Sequence, residues 1–360
     1  MTIRKKRVIY VVVEYPQLSQ TYIANEIEAL RGDHEIEVIT TREPETPYRS
    51  AVPYSVCANL GAAIEKVQDF KPDILHGHWL HTVSPLDILS RKTGVPYTVR
   101  AHSFDALLDA PELSPVNRVK NYLRARYRFS VVWAPNMARH ASPFVNRENC
   151  LGVLCFPFST DWLKSHGFPE DKLRPVYPVV NFQRFYNTDP NGDGVMNIGA
   201  CIPKKRIETY IDLAHSLPAR KFRLYPIGYE TEKMHALNQK MGSPVEFMPT
   251  REPREMPSEY KRHQWMVYTG ALDTKSDLGW SMAVAEAQAS GVGVCYPNIR
   301  PDIAEYVGGA GIVYSSLDEV REIIKDPVPD EIRRKGFEQA KKSDIFVHKK
   351  VLTDIWDNAA

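Results

Sequence analysis

An α/β protein with two doubly wound domains is the fold class this sequence predicts, and three observations predict it. Short β-branched runs alternate with helical patterns from one end to the other, as parallel sheets with crossover helices require. At 360 residues the chain outgrows one ordinary core, since domains run to about 100–200 residues. A proline-rich stretch, Arg174-Pro175-Val176-Tyr177-Pro178, and the turn signal Asn191-Gly192-Asp193-Gly194 separate two such series.

The first series opens at residues 8–13, after a basic start that superficially imitates a signal peptide. The apolar run stops at Glu14, short of the roughly 7–15 residues of a signal-peptide core, and no small-residue cleavage site follows, so it reads as a buried strand. Further strands are expected at 36–40, 73–76, 97–100, 130–134 and 153–156, with helices such as 19–30, where Ile23, Ile27 and Leu30 recur at helical spacing, and 63–70. The second series gives a strand at 195–199, a helix at 207–217, strands at 222–227, 245–248, 266–268 and 292–296, and a last helix near 349–358. The expected domains are 1–180 and 181–345, with 346–360 a helix that can pack back on the first.

Composition excludes several classes. The 46 basic and 44 acidic residues nearly cancel, which gives no reason to expect nucleic acid. Five scattered cysteines without a C-x-x-C pair argue against a disulfide framework and a zinc site, and fit a reducing compartment. No apolar stretch approaches the 18 or more residues needed to span a bilayer. The expectation is a cytoplasmic protein, with peripheral contact at the inner membrane face open. Residues 117–129 carry Arg118, Lys120, Arg124, Arg126 and Arg128 among Val119, Tyr122, Leu123 and Tyr127; this reads as a basic helix for an anionic membrane or lipid diphosphate, or as arginine stems covering a core.

Lys204, Lys205 and Arg206 open a helix just after a strand, where fixed cations and a helix N-terminus can converge on phosphate; the plain alternative is a solvated helix start. His76 and His78 share one strand face, a spacing that tempts a metal assignment, but no third ligand is identifiable and no metal is expected.

Five blocks in order resemble the retaining GT-B glycosyltransferases of the group 1 family, exopolysaccharide-type members included. Tyr15-Pro16-Gln17-Leu18-Ser19-Gln20-Thr21-Tyr22-Ile23 with Glu26 resembles the F-P-x-x-S-E-T-F-I loop and helix, and Asp73-Ile74-Leu75-His76-Gly77-His78 the D-x-x-H-x-H strand end. Gly94-Val95-Pro96-Tyr97-Thr98-Val99-Arg100-Ala101-His102 is similar to the G-x-P-x-V-x-T-x-H strand. The segment from Tyr177 to Phe185 is similar to the interdomain linker, and that from Gly279 to Gly291 to the E-G-F-G-x-x-x-x-E-A-x-A-x-G motif.

The resemblance implies two Rossmann-like domains facing across a cleft, the first binding acceptor and the second a nucleotide sugar. It implies catalytic roles for His102, beside the transferred sugar, and Lys205, beside the departing phosphate. Donor binding falls to Lys204, Lys205, Arg206, Asp277, Gly279, Trp280, Ser281, Met282 and Glu286, the last holding ribose hydroxyls; a carboxylate can accept two such bonds. A helix-terminal glutamate meeting the macrodipole is the plain alternative. The acceptor side takes Gln17, Ser19, Gln20, Thr21 and His78.

The implied activity is metal-independent, retaining hexosyl transfer from a UDP- or GDP-linked sugar to a saccharide, lipid-linked or small-molecule acceptor in polysaccharide or glycoconjugate synthesis, with no cofactor beyond that co-substrate. Two positions depart from the pattern. Leu278 stands where the family has the first glutamate of its pair, with Asp277 one residue early. Ala200 stands where it has an arginine, for which Arg206, Arg251 or Arg254 is the candidate substitute. The alternative reading is a catalytically weak subunit that binds a nucleotide sugar or a partner transferase.

Overall fold

The computed structural model describes residues 4–45, 47–107, 114–117, 119–120, 123, 129, 131–132, 134–270 and 279–358. The chain divides into two units, Met1–Tyr177 with Ile345–Ala360, and Pro178–Asp344.

The first unit holds β1 (Arg7–Val12), α1 (Thr21–Leu30), β2 (Glu35–Thr40), β3 (Tyr54–Val56), α2 (Leu60–Phe70), β4 (Ile74–His78), α3 (Val83–Thr93) and β5 (Tyr97–Arg100). There follow α4 (Ser103–Leu107), α5 (Met137–Val145), β6 (Cys150–Cys155), α6 (Thr160–Ser165) and β7 (Leu173–Pro175). The strands form one parallel sheet in the order β3-β2-β1-β4-β5-β6-β7. Strand β1 shows why the sheet is covered on both faces. Ile9 and Val11 enter one cluster with Leu75, Leu86 and Val99, while Val8, Tyr10 and Val12 enter another with Ile23 and Ile27. Gly77 lets α3 approach β4 closely: a Cβ there would meet Leu86 Cδ2 at 2.9 Å and Thr82 Oγ1 at 3.0 Å, so those side chains would have to shift.

The second unit holds α7 (Phe182–Phe185), β8 (Gly194–Ala200), α8 (Ile207–Ser216), β9 (Phe222–Ile227), α9 (Thr231–Lys240), β10 (Val245–Phe247), α10 (Met256–Lys261) and β11 (His263–Val267). It continues through α11 (Met282–Ala289), β12 (Gly293–Pro297), α12 (Asp302–Val307), β13 (Ile312–Tyr314), α13 (Leu317–Ile323) and α14 (Asp330–Lys341). Its parallel sheet runs β10-β9-β8-β11-β12-β13. The last helix, α15 (Ile345–Asp357), belongs to the first unit. There its Leu352 and Trp356 are fully buried in the cluster around Tyr10, and Trp356 Nε1 donates to Thr98 Oγ1 at 3.0 Å.

The strand expected at 130–134 is not seen among the described residues. Residues 131, 132 and 134 form no ladder, Ser130 and Trp133 lie outside the described residues, and β6 pairs directly with β5. The apolar character there reflects burial instead: Phe129 and Val132 are buried, and the Val132 N–H donates to the His81 carbonyl at 3.0 Å. Strands β3 and β7, three residues each at the sheet's edges, carry too little alternation to be read from sequence. Most of 117–129, including Arg118, Tyr122, Arg124, Arg126, Tyr127 and Arg128, lies outside the described residues. No helix among the described residues is long and apolar enough to cross a membrane.

Candidate functional site

In a doubly wound sheet the strand order reverses at one point, and the crevice beyond the strand ends there is the natural ligand position. In the first unit that point lies between β1 and β4. Side chains from three strands converge on Glu26 of α1, which is fully buried. Its Oε1 accepts from the Tyr10 hydroxyl at 3.0 Å and lies 3.2 Å from both His78 Nε2 and His76 Nε2, while Arg100 pairs with Oε2 at 2.7 Å. Burial works against the charge, but Arg100 with His78 and His76 outweighs it and holds the carboxyl well below its usual range. Burial also pushes the imidazoles down, His78 to about 4 and His102 well below its ordinary value, so all are neutral at pH 7.

His102 follows β5. Its Nε2 lies 3.1 Å from His78 Nδ1, its backbone N–H donates to Asp105 Oδ1 at 2.8 Å, and its ring packs 4.3 Å from Trp79 and 4.5 Å from Tyr22. The second oxygen of Asp105 accepts from the Leu80 N–H, so one buried carboxyl ties the β4 and β5 loops together. Glu26, His76 and His78 each bring an atom within 4.8 Å of the others, so the third group missing from the sequence reading of His76 and His78 is Glu26. These three can surround a cation, though Arg100 and Tyr10 already occupy the carboxylate. Of the acceptor-side residues, Ser19 and Gln20 form a short 3-10 turn and Thr21 begins α1, beside the buried Gln17.

In the second unit the order reverses between β8 and β11. Lys204 and Lys205 occupy a 3-10 turn after β8, and Arg206, at φ 48°, leads into α8. The Lys205 carbonyl accepts from Thr269 Oγ1 at 2.6 Å, and its Nζ lies 3.9 Å from the centroid of the Tyr268 ring, a cation–π contact that directs the ammonium. Tyr268 in turn stacks on Tyr296 at 4.6 Å. Arg206 pairs with Glu208, Arg251 with Glu259 and Arg254 with Glu252, so each candidate substitute for the cation missing at Ala200 has an acidic partner.

Residues 279–282 lead into α11. Tyr296 donates to the Gly279 carbonyl at 3.0 Å and Tyr306 to the Ser281 carbonyl at 2.5 Å. Trp280 stacks on Tyr306 at 4.7 Å and donates to Asp302 at 2.7 Å. Ser281 makes no side-chain cap, so the first amides of α11, Met282 among them, are donors of the kind that bind anions at helix N-termini. Glu286 accepts from the Tyr260 hydroxyl at 2.8 Å. Burial pushes its carboxyl up to about 7, against lowering by Tyr260 and Arg184. Asp277 and Leu278 lie outside the described residues. The supporting tyrosines 260, 268, 296 and 306 had no signal in the sequence, since each acts through a partner distant in the chain.

The whole chain superposes on several solved structures. HepE from Anabaena, determined in complex with UDP-glucose, is 14% identical, with 98% of each chain covered and a TM-score of 0.68. Sucrose-phosphate synthase from Thermosynechococcus elongatus is 13% identical over 99% of this chain and 100% of that one, with a TM-score of 0.70. A glycosyltransferase from Rickettsia africae is 10% identical over 99% of both, with a TM-score of 0.65. The chain has the GT-B fold. No family model matches the sequence, and no curated protein matches it significantly, so the likeness of this GT-B chain is one of architecture. Its two sheets are the two Rossmann-like halves of GT-B, and the clusters around His102 and Lys205 each lie at the switch point of one half.

Proposed function

We propose that the chain transfers a sugar from a nucleotide-diphosphate sugar to an acceptor hydroxyl, with the second unit binding the donor. The observation that carries this is that the second unit holds both a ring-braced ammonium at Lys205, after the switch-point strand β8, and a buried Glu286 carboxyl in the second turn of α11, whose first amides have no side-chain cap. Diphosphate and ribose need those two chemistries, a cation with amides for one and a double acceptor for the other. The GT-B fold supports the same reading, since HepE is a structure with UDP-glucose bound.

In this reading Lys204, Lys205 and the amides of 279–282 stabilise the leaving diphosphate, and Glu286 holds the ribose. Charge on the leaving group is met by residues of the chain, so transfer is metal-independent, and front-face attack retains the anomeric configuration. The first unit serves the acceptor, a saccharide or lipid-linked saccharide, with His102 contacting the sugar. Ala200, together with the acidic partners of Arg206, Arg251 and Arg254, favours a second reading, a weakly catalytic subunit that binds the nucleotide sugar.

A thermal-shift and hydrolysis screen against UDP, GDP, ADP and their common sugars, with Glu286→Ala as control, tests both. Stabilisation by one nucleotide class, lost in the variant and accompanied by slow release of free sugar, is the expected result. Stabilisation without sugar release or transfer favours the weak subunit. No stabilisation by any nucleotide overturns the donor site.

A further inference from the structure

We infer that Glu26 and His78 are positioning residues that hold His102 as its Nε2–H tautomer, leaving Nδ1 as a bare acceptor for a hydroxyl of the bound saccharide. The identity of that ligand rests on the transfer reading; the tautomer does not.

The chain of bonds leaves one arrangement. Glu26 is ionised beside Arg100, and a carboxylate oxygen only accepts, so His78 Nε2, 3.2 Å from Oε1, carries the hydrogen. A neutral imidazole has one N–H, which makes His78 Nδ1 an acceptor. His102 Nε2, 3.1 Å from that atom, must then be the donor, and His102 Nδ1 is left with its lone pair. The opposite assignment would set the His78 Nε2 lone pair against the carboxylate, two fully buried acceptors facing each other. Protonating His78 would reverse the His102 tautomer, but burial keeps it neutral to about pH 4.

The ring is also fixed in place. Asp105 holds the His102 backbone N–H, and Trp79 and Tyr22 pack against the imidazole. Nδ1 has no hydrogen-bond partner among the described residues. Tyr10 adds to the support: its hydroxyl donates to Glu26 Oε1 at 3.0 Å, while Arg100 pairs with Oε2 at 2.7 Å. A neutral Nδ1 at this position accepts from a hydroxyl and discriminates against a deoxy or O-methyl analogue at that carbon.

The test is side-chain ¹⁵N–¹H correlation NMR of ¹⁵N-histidine-labelled full-length protein at pH 7, with His102 assigned through His102→Asn. Wild type is expected to show His102 protonated on Nε2 alone. His78→Phe, which removes the acceptor, is expected to give a mixture of tautomers and to lower donor hydrolysis or transfer about tenfold. His78→Asn, whose Oδ1 takes the place of Nδ1, is expected to restore both. A wild-type His102 protonated on Nδ1 overturns the inference whatever the variants do, as does an unchanged nitrogen pattern in a folded His78→Phe. The expected pattern in a protein that turns over no nucleotide sugar upholds the tautomer and overturns the transfer reading.

Discussion

Glu286 ties stability to pH in a direction that can be worked out. Its folded carboxyl titrates at about 7 against an ordinary 4.5, so the folded state holds the proton more tightly than the unfolded one. The cost of ionising it is absent below the unfolded value, grows as pH rises between the two, and is complete above about 7. Glu286→Gln, which cannot ionise, is expected to leave the melting temperature nearly unchanged at about pH 4.5 and to raise it at about pH 8. Equal shifts at both pH values would remove burial of the carboxylate as the cause. Lys205→Ala is expected to weaken nucleotide-diphosphate binding by about 1.5–3 kcal/mol, and titration calorimetry with UDP and GDP reads it. Lys205 is legible because it follows a strand; Glu286 is legible only through the motif around it, since it is the fifth residue of α11 rather than the helix-terminal residue the sequence suggests. The aromatic bed under Lys205 is not, since Tyr268 and Tyr296 meet only when β11 and β12 pair. His76 and His78 were visible as a pair, whereas Glu26, about fifty residues earlier in the chain, becomes their partner only through packing of α1 on the sheet.

Among elements, the long buried strands of the two sheets were predicted to within a few residues, because β-branched runs covered on both faces leave a strong pattern. The reading failed where burial and pairing part company. Phe129 and Val132 are as buried as strand residues, yet the chain there spends a backbone N–H on the His81 carbonyl. The loops at the ends of β4 and β5 depend on Asp105 in a way no local pattern announces. Asp105→Ala leaves the amides of Leu80 and His102 without their acceptor, and a loss of about 1–3 kcal/mol is expected in urea unfolding. Asp105→Asn keeps one acceptor oxygen and is expected to fall between the variant and wild type. A loss in Asp105→Ala no larger than an ordinary surface substitution would show that the two loops hold their shape without it.

For the molecule as a whole, the decisive packing is that of α15 on the first unit. Trp356 fills the cluster around Tyr10 and bonds to Thr98, so Trp356→Ala is expected to cost about 3–5 kcal/mol in denaturant unfolding. Trp356→Phe is expected to lose less, since it keeps much of the volume and gives up the bond to Thr98.

That returning helix also orders events during synthesis. The ribosome must translate residues 178–344 between the last strand of the first unit and the helix that covers it. At about 5–20 residues per second this takes roughly 10–30 s, long enough for the second unit to fold first. Throughout that interval Tyr10, Leu154 and Val176 lack the helix that covers them in the finished protein, an apolar face of the kind holding chaperones bind. The unit begun first is thus completed last.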